Sequence, residues 1–360
     1  MIKNKQGNQT IVFSNGPVIL SAASVVGTKE GNGPLGQWFD TALEDDTFGE
    51  KTWEKSESKM LKTAMMEALQ RSGKTKEEIG AMLSGDLLNQ LMSSSFMARD
   101  LHIPFLGMYG ACSTMTESLM LGAVLTDGQY SDNVMIGASS HYCTAERQFR
   151  MPLEHGNQRP PSAQWTATAA GAMVLSCGME KGAALVADQE GHATSSRVIR
   201  VRCGTIGKVI DAGVKDANQM GAAMAPAAVD TLLNHFQDTG RSMKDYDLVL
   251  TGDLGYIGKD IAKDLLVDAG MPKKDVENCY DDCGAMIFEK EQDVHGGGSG
   301  CGCSASVFAG YVYKRLQKGE LKRVLIMSTG ALLSTISPFQ GESIPGIAHA
   351  ICLEAEQEEH

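Results

Sequence analysis

Short apolar runs alternate along the chain with longer amphipathic stretches, and the spacing within each predicts an element. In residues 53–71 the apolar positions Met60, Leu61, Ala64, Met65 and Leu69 recur at intervals of three and four, the spacing of one helix face. Continuous apolar runs at 132–141 ("DNVMIGASSH"), 170–177 ("AGAMVLSC"), 322–331 ("KRVLIMSTGA") and 346–354 ("GIAHAICLE") read as strands. Runs without polar alternation suit strands covered by helices on both faces, so the expected class is α/β.

The pattern also repeats. "LQRSGKTKEEIGAMLSGDLLNQ" (69–90) is echoed by "FQDTGRSMKDYDLVLTGDLGYI" (236–257), each running from a helix tail through a charged turn and an apolar strand to Gly-Asp-Leu. "GACSTMTESLMLGAVL" (110–125) is echoed by "GCGCSASVFAGYVY" (300–313), which sets Cys112 near Cys303, and each copy leads into one of the strands above. Asp86 placed on Asp253 gives an offset of 167 positions and Cys112 on Cys303 one of 191. The second copy therefore carries an insertion, expected within "CYDDCGAMIFEKEQDVHGGG". With the strands 132–141 and 322–331 that follow the second echo, and the late strands 170–177 and 346–354, four pairs in the same order predict two similar α/β units, residues 1–215 and 216–360, facing each other across a ligand site at the strand ends.

Composition narrows what such a site holds. A net charge of -12 over 360 residues excludes non-specific nucleic-acid binding, which needs a basic face. Nine scattered cysteines, an odd number, predict reduced thiols and not a disulfide framework. Cys279, Cys283, Cys301 and Cys303 lack the paired spacing of structural zinc sites, so no metal is expected, and "GGGSGCGCS" lacks the Gly-Lys-Ser/Thr ending of a phosphate loop. The N-terminal "MIKNKQGNQTIVF" has no apolar core of signal-peptide length, and no stretch approaches the roughly 18 apolar residues of a membrane span. Cytoplasmic synthesis is the expectation, with any membrane association made through partners.

A duplicated α/β chain with Gly-x-Cys-Ser at a strand-to-helix turn resembles the thiolase superfamily, which includes thiolases and ketoacyl synthases. Within it, "GPLGQWFD", "LSGDLLNQ", "IPFLGMYGACST", "SSHYCTAERQFR", "AMAPAAVDT", "LVLTGDL", "DDCGAMIF", "GGGSGCGCSA" and "STGALLS" are similar, in order from Gly33 to Ser334, to the stage V sporulation protein AD family of spore-forming bacteria. The resemblance implies a five-layered α-β-α-β-α thiolase-like fold with pseudo-twofold symmetry. It implies a non-enzymatic role in binding dipicolinic acid, or its calcium chelate, for uptake into the developing spore. It further implies partners among the other stage V A operon proteins at the inner forespore membrane, no cofactor beyond the calcium of the chelate, and a homodimer paired through an edge strand of the first half.

Cys112 falls on the superfamily's nucleophile position, at a helix N-terminus whose dipole favours thiolate. Nucleophilic catalysis also needs a base and an oxyanion partner, and here the sequence departs from the enzymes. "TGDLGYIG" carries Asp253 or a neighbour where ketoacyl synthases place a histidine; the glycine-rich loop lacks the Gly-His-Pro of thiolases; "STGALLS" has no second cysteine; and His295 sits outside a catalytic setting. An Asp253 carboxylate near Cys112 would oppose thiolate formation. The chain is therefore expected not to be an enzyme, the alternative being acyl transfer through Cys112. The expected ligand contacts are Cys112, Asp253, His141, Cys303 and Asp86, in that order. Asp86 and Asp253 equally suit helix caps, His141 a hydrogen-bonded structural role, and Arg147 and Arg150 either carboxylate forks or surface pairing with Glu146 or Glu154.

Overall fold

The predicted helix and the four predicted strands fall where the periodicity places them. In this computed structural model, residues 4–149, 159–178 and 197–357 are described; Arg150 and Glu154 lie outside them. The first half runs β1 (Val18–Val26), α1 (Trp53–Ser72), β2 (Ala81–Gly85), α2 (Met92–Leu101), β3 (Phe105–Gly107), α3 (Thr114–Asp127), β4 (Asn133–Ser140), α4 (Tyr142–Phe149) and β5 (Ala169–Ser176). The second runs β6 (Val198–Thr205), α5 (Met220–Thr239), β7 (Leu248–Thr251), α6 (Gly255–Asp268), β8 (Tyr280–Asp282), α7 (Cys301–Val307), β9 (Arg323–Ala331) and β10 (Gly346–Glu356).

Strand order demonstrates the duplication. One continuous path runs β3-β2-β4-β5-β1 and then β6-β10-β9-β7-β8, so the second blade mirrors the first. The senses of pairing agree as well: β2 is parallel to both β3 and β4, as β7 is to both β8 and β9, and the remaining neighbours in each blade are antiparallel. The blades meet at Arg200 opposite Val18. The sequence reading missed β1 and β6. Because β6 pairs with β10, the second blade begins at Val198, ahead of the expected division at 215/216.

Three hydrophobic clusters correspond to three helical layers. Met60, Leu61, Ala64 and Met65 of α1 are fully buried against the outer face of the first blade, where each large side chain contributes about 1.5–3 kcal/mol. Thr52 accepts from the Lys55 N–H at the start of α1, and Gly73 ends it at φ 70°. Helix α5, paired with α6, covers the outer face of the second blade. Between the blades, α3 packs against β2 and β4 on one side and β9 and β10 on the other, with α7 beside it. Helix α7 fits only because of its small residues: a Cβ on Gly302 would lie 2.0 Å from the Ala169 carbonyl. The order helix, sheet, helix, sheet, helix is the five-layered thiolase-like architecture. The predicted insertion follows β8, where a helical turn (Cys283–Met286) and a short strand (Gly298–Ser299) intervene before α7. Among the described residues no helix is long and apolar enough to cross a membrane.

Candidate functional site

The site forms where the N-terminal ends of the two central helices meet. Cys112 lies in a turn, Ala111–Ser113, that feeds α3. Ala111 is held at φ 50°, a left-handed conformation uncommon for a residue with a Cβ. Its carbonyl accepts from the Cys301 thiol at 3.0 Å, which ties the start of α7 to the start of α3. Gly330, near the end of β9, permits the second approach: a Cβ there would sit 2.5 Å from the Gly110 carbonyl. The segment after Gly330 is thereby brought over Cys112.

The result is a cavity of about 260 Å³ drawing on both halves. Leu87, Tyr109, Phe149, Met220, Leu332 and Leu333 make its apolar wall, and Cys112, Glu146, Thr166, Ser299 and Ser334 its polar positions. No Arg, Lys or His lines it among the described residues.

Of the five expected ligand contacts, only Cys112 lines this space. Burial pushes its thiol up, and the charge of Asp253 pushes it further; the Gly300 N–H, which would favour thiolate, is the weaker influence. Asp253 is fully buried and close enough for its charge to act on the sulfur. The Thr329 N–H reaches Oδ2 at a long 3.4 Å, the Ser304 hydroxyl lies alongside, and Oδ1 has no hydrogen bond. Burial and the neighbouring Asp282 raise its carboxyl well above the usual carboxylate range. Cys303 is buried with its thiol 3.6 Å from the Gly252 carbonyl, and burial raises it too.

Asp86 and His141 are placed elsewhere because their polar atoms are already engaged. Asp86 accepts from the Leu88 N–H through Oδ1 and from the Ser94 N–H through Oδ2, both at 2.8 Å, so it caps the turn into α2. His141 accepts from the Cys143 N–H at Nδ1, which leaves Nε2 to donate to the Asp46 carbonyl at 3.1 Å. Burial lowers its pKa, and Trp53 packs against the ring. Among the described residues Arg147 pairs with Glu54 and not with Glu146, which is 2% exposed and lines the cavity. The spacing of Tyr142, Ala145 and Phe149, an inward helix face, was the available signal that Glu146 turns inward with them. Met220 and Leu332–Ser334 carried none, since they reach the site through long-range folding.

The whole chain has known relatives. Residues 7–354 match the family described as Stage V sporulation protein AD (SpoVAD). The Stage V sporulation protein AD of Bacillus subtilis (strain 168) is 42% identical over 348 residues, covering 97% of each chain. Among solved structures, 3-oxoacyl-[acyl-carrier-protein] synthase III from Aquifex aeolicus VF5 covers 94% of this chain and 100% of its own, with a TM-score of 0.53 at 12% identity. Xanthomonas campestris OleA E117D covers 95% of this chain and 97% of its own, with a TM-score of 0.59 at 15% identity. The tetronic acid condensing enzyme AbyA1 covers 94% and 99%, with a TM-score of 0.55 at 16% identity. These structural likenesses establish a thiolase-like fold, and the sequence match makes the chain a member of the stage V sporulation protein AD family.

Proposed function

We propose that this sporulation protein binds dipicolinic acid without chemical turnover, best as its calcium chelate, and so supports uptake of that ligand into the developing spore. The carrying observation is the pairing of Cys112 with Asp253. Acyl transfer needs a thiolate and a base able to take a proton, and the charge that acts on this sulfur is that of a buried carboxyl, which disfavours the thiolate. A cavity that has lost its acyl chemistry still binds: its apolar walls suit a flat aromatic ring, and the hydroxyls of Thr166, Ser299 and Ser334 suit carboxylate oxygens. With no cationic side chain among the described residues of the wall, a free dianion has little compensation there. A chelate brings its own countercharge, and Glu146 offers a hard oxygen ligand to calcium.

The reading invokes no cofactor and no resident metal. It includes peripheral association with the inner forespore membrane through other stage V A operon proteins, and homodimer pairing along the exposed edge of β3, where Leu106 is 48% exposed. Titration calorimetry with dipicolinate, with calcium, and with both is the test. Saturable heat with the chelate, weaker with dipicolinate alone and absent with calcium alone, is the expected result. Silence in all three titrations would overturn the proposal.

A further inference from the structure

A second thiol site lies away from the cavity, on the outer face of the second blade. Cys203 of β6 and Cys352 of β10 are directly opposed in antiparallel register, just after a bulge at Arg202. The bulge matters: Val201 faces the middle layer, whereas Cys203 joins Cys352 in the core beneath α5. Directly opposed antiparallel residues have Cα atoms about 4.5–5.5 Å apart, inside the range a disulfide spans. Both thiols are free, and the register sets them opposite each other on the same face of the sheet.

The two sulfurs are not equivalent. Arg241 places Nη1 3.1 Å from the Cys352 sulfur and holds Nη2 on Glu354 at 3.2 Å. The same guanidinium stands 3.5 Å from the Tyr246 hydroxyl, which is fixed by His235 at 2.7 Å; His235 is in turn fixed by Thr205 at 2.7 Å. A cation against one sulfur of the pair favours the thiolate at Cys352 and leaves the proton on Cys203. The shifts run accordingly, Cys352 down and Cys203 up, against the raised values of the other shifted cysteines. Arg241 is 29% exposed at its side chain, whereas both sulfurs it stands beside are buried.

We infer that Cys203 and Cys352 form a peroxide-reactive dithiol, with Cys352 as the attacking sulfur and Cys203 as the resolving one. The Cys352 thiolate attacks one oxygen of hydrogen peroxide: the S–O bond forms, the O–O bond breaks, and the departing hydroxide takes up a proton. Cys203 then attacks the sulfenic sulfur, the S–S bond forms, and the S–O bond breaks with loss of water, which carries off the Cys203 proton. Two thiols are oxidised by two electrons, and one peroxide becomes two waters. The product ties β6 to β10.

The test is a time course of the reduced full-length protein with hydrogen peroxide, quenched and alkylated under denaturing conditions, then mapped by mass spectrometry. Exposure alone would make Cys143 and Cys279, the two half-buried cysteines, react first. The expected result is the reverse: a Cys203–Cys352 cross-linked peptide, lighter by two hydrogens, accumulating before either is modified. In Cys203→Ser a sulfenic acid on Cys352 is trapped by dimedone, and Arg241→Gln, with an unchanged circular dichroism spectrum, slows cross-linking about tenfold. Oxidation of Cys143 or Cys279 ahead of the pair, or an Arg241→Gln rate equal to the parent's, would overturn the inference. If Arg241→Gln fails to fold, the order of modification in the unmodified chain decides alone.

Discussion

The two Gly-Asp-Leu corners occupy equivalent places, after β2 and after β7, yet their aspartates do different things. Asp86 spends both carboxylate oxygens on the N–H groups of Leu88 and Ser94. In the second half that duty has passed to Asp282, which accepts from the Leu254 and Gly255 N–H groups at 3.0 and 2.9 Å, from Ala285 N–H at 3.1 Å and from the Thr251 hydroxyl at 2.8 Å. Asp253 is thereby released from capping and left with an unpartnered oxygen. A repeated motif fixes where a carboxylate stands. Which neighbouring acceptor has satisfied the local donors decides whether that carboxylate is structural or available.

This contrast can be broken by substitution, and the largest effect belongs to Asp282. Asp282→Ala leaves the buried N–H groups of Leu254 and Gly255 and the half-buried one of Ala285 without their acceptor, each costing about 1–3 kcal/mol when unsatisfied, whereas the Thr251 hydroxyl keeps the Asp281 carbonyl and the Tyr280 hydroxyl. A loss of about 4 kcal/mol or more in urea unfolding is expected, and a loss below about 1 kcal/mol would mean Asp253 can resume the cap. Asp86→Asn retains one acceptor oxygen and turns an amide toward the other donor, with an expected loss of about 1–3 kcal/mol.

Asp253→Asn is expected to have the smallest effect and to depend on pH. Burial raises the Asp253 carboxyl above its ordinary 3.8, so between that value and the folded one the native protein holds a proton that the unfolded chain has released. The contribution is fully present below pH 3.8 and is lost as pH rises through the folded value. The variant removes that loss, so its stability relative to the parent should improve steadily from acid toward neutral and alkaline pH. A pH-independent loss as large as that of Asp86→Asn would show that the Asp253 carboxylate is structurally satisfied after all.

Much of the fold is legible in the chain because it is local. The helix face of Met60, Leu61, Ala64, Met65 and Leu69, the four apolar strands and the paired echoes all rest on spacing within short windows. Strands β1 and β6 escaped because "VILSAASVV" and "VIRVRCGT" have no counterpart echo to flag them, and their partners lie far away in sequence. Of the site, Cys112 was readable from its turn. Surface pairing with Glu146 was one of the open alternatives for Arg147 and Arg150; the helical spacing of Tyr142, Ala145 and Phe149 could have placed Glu146 inward, where the structure buries it against the cavity.

The sequence by itself determined a duplicated α/β chain and the turn that carries Cys112. Tertiary structure alone decided which of two identical aspartates is satisfied, that Cys203 meets Cys352, and that one cavity draws on both halves. The physical reason is that hydrogen-bond satisfaction and burial are set by atoms brought together across long stretches of chain, and no local pattern encodes which donor reaches a given oxygen first.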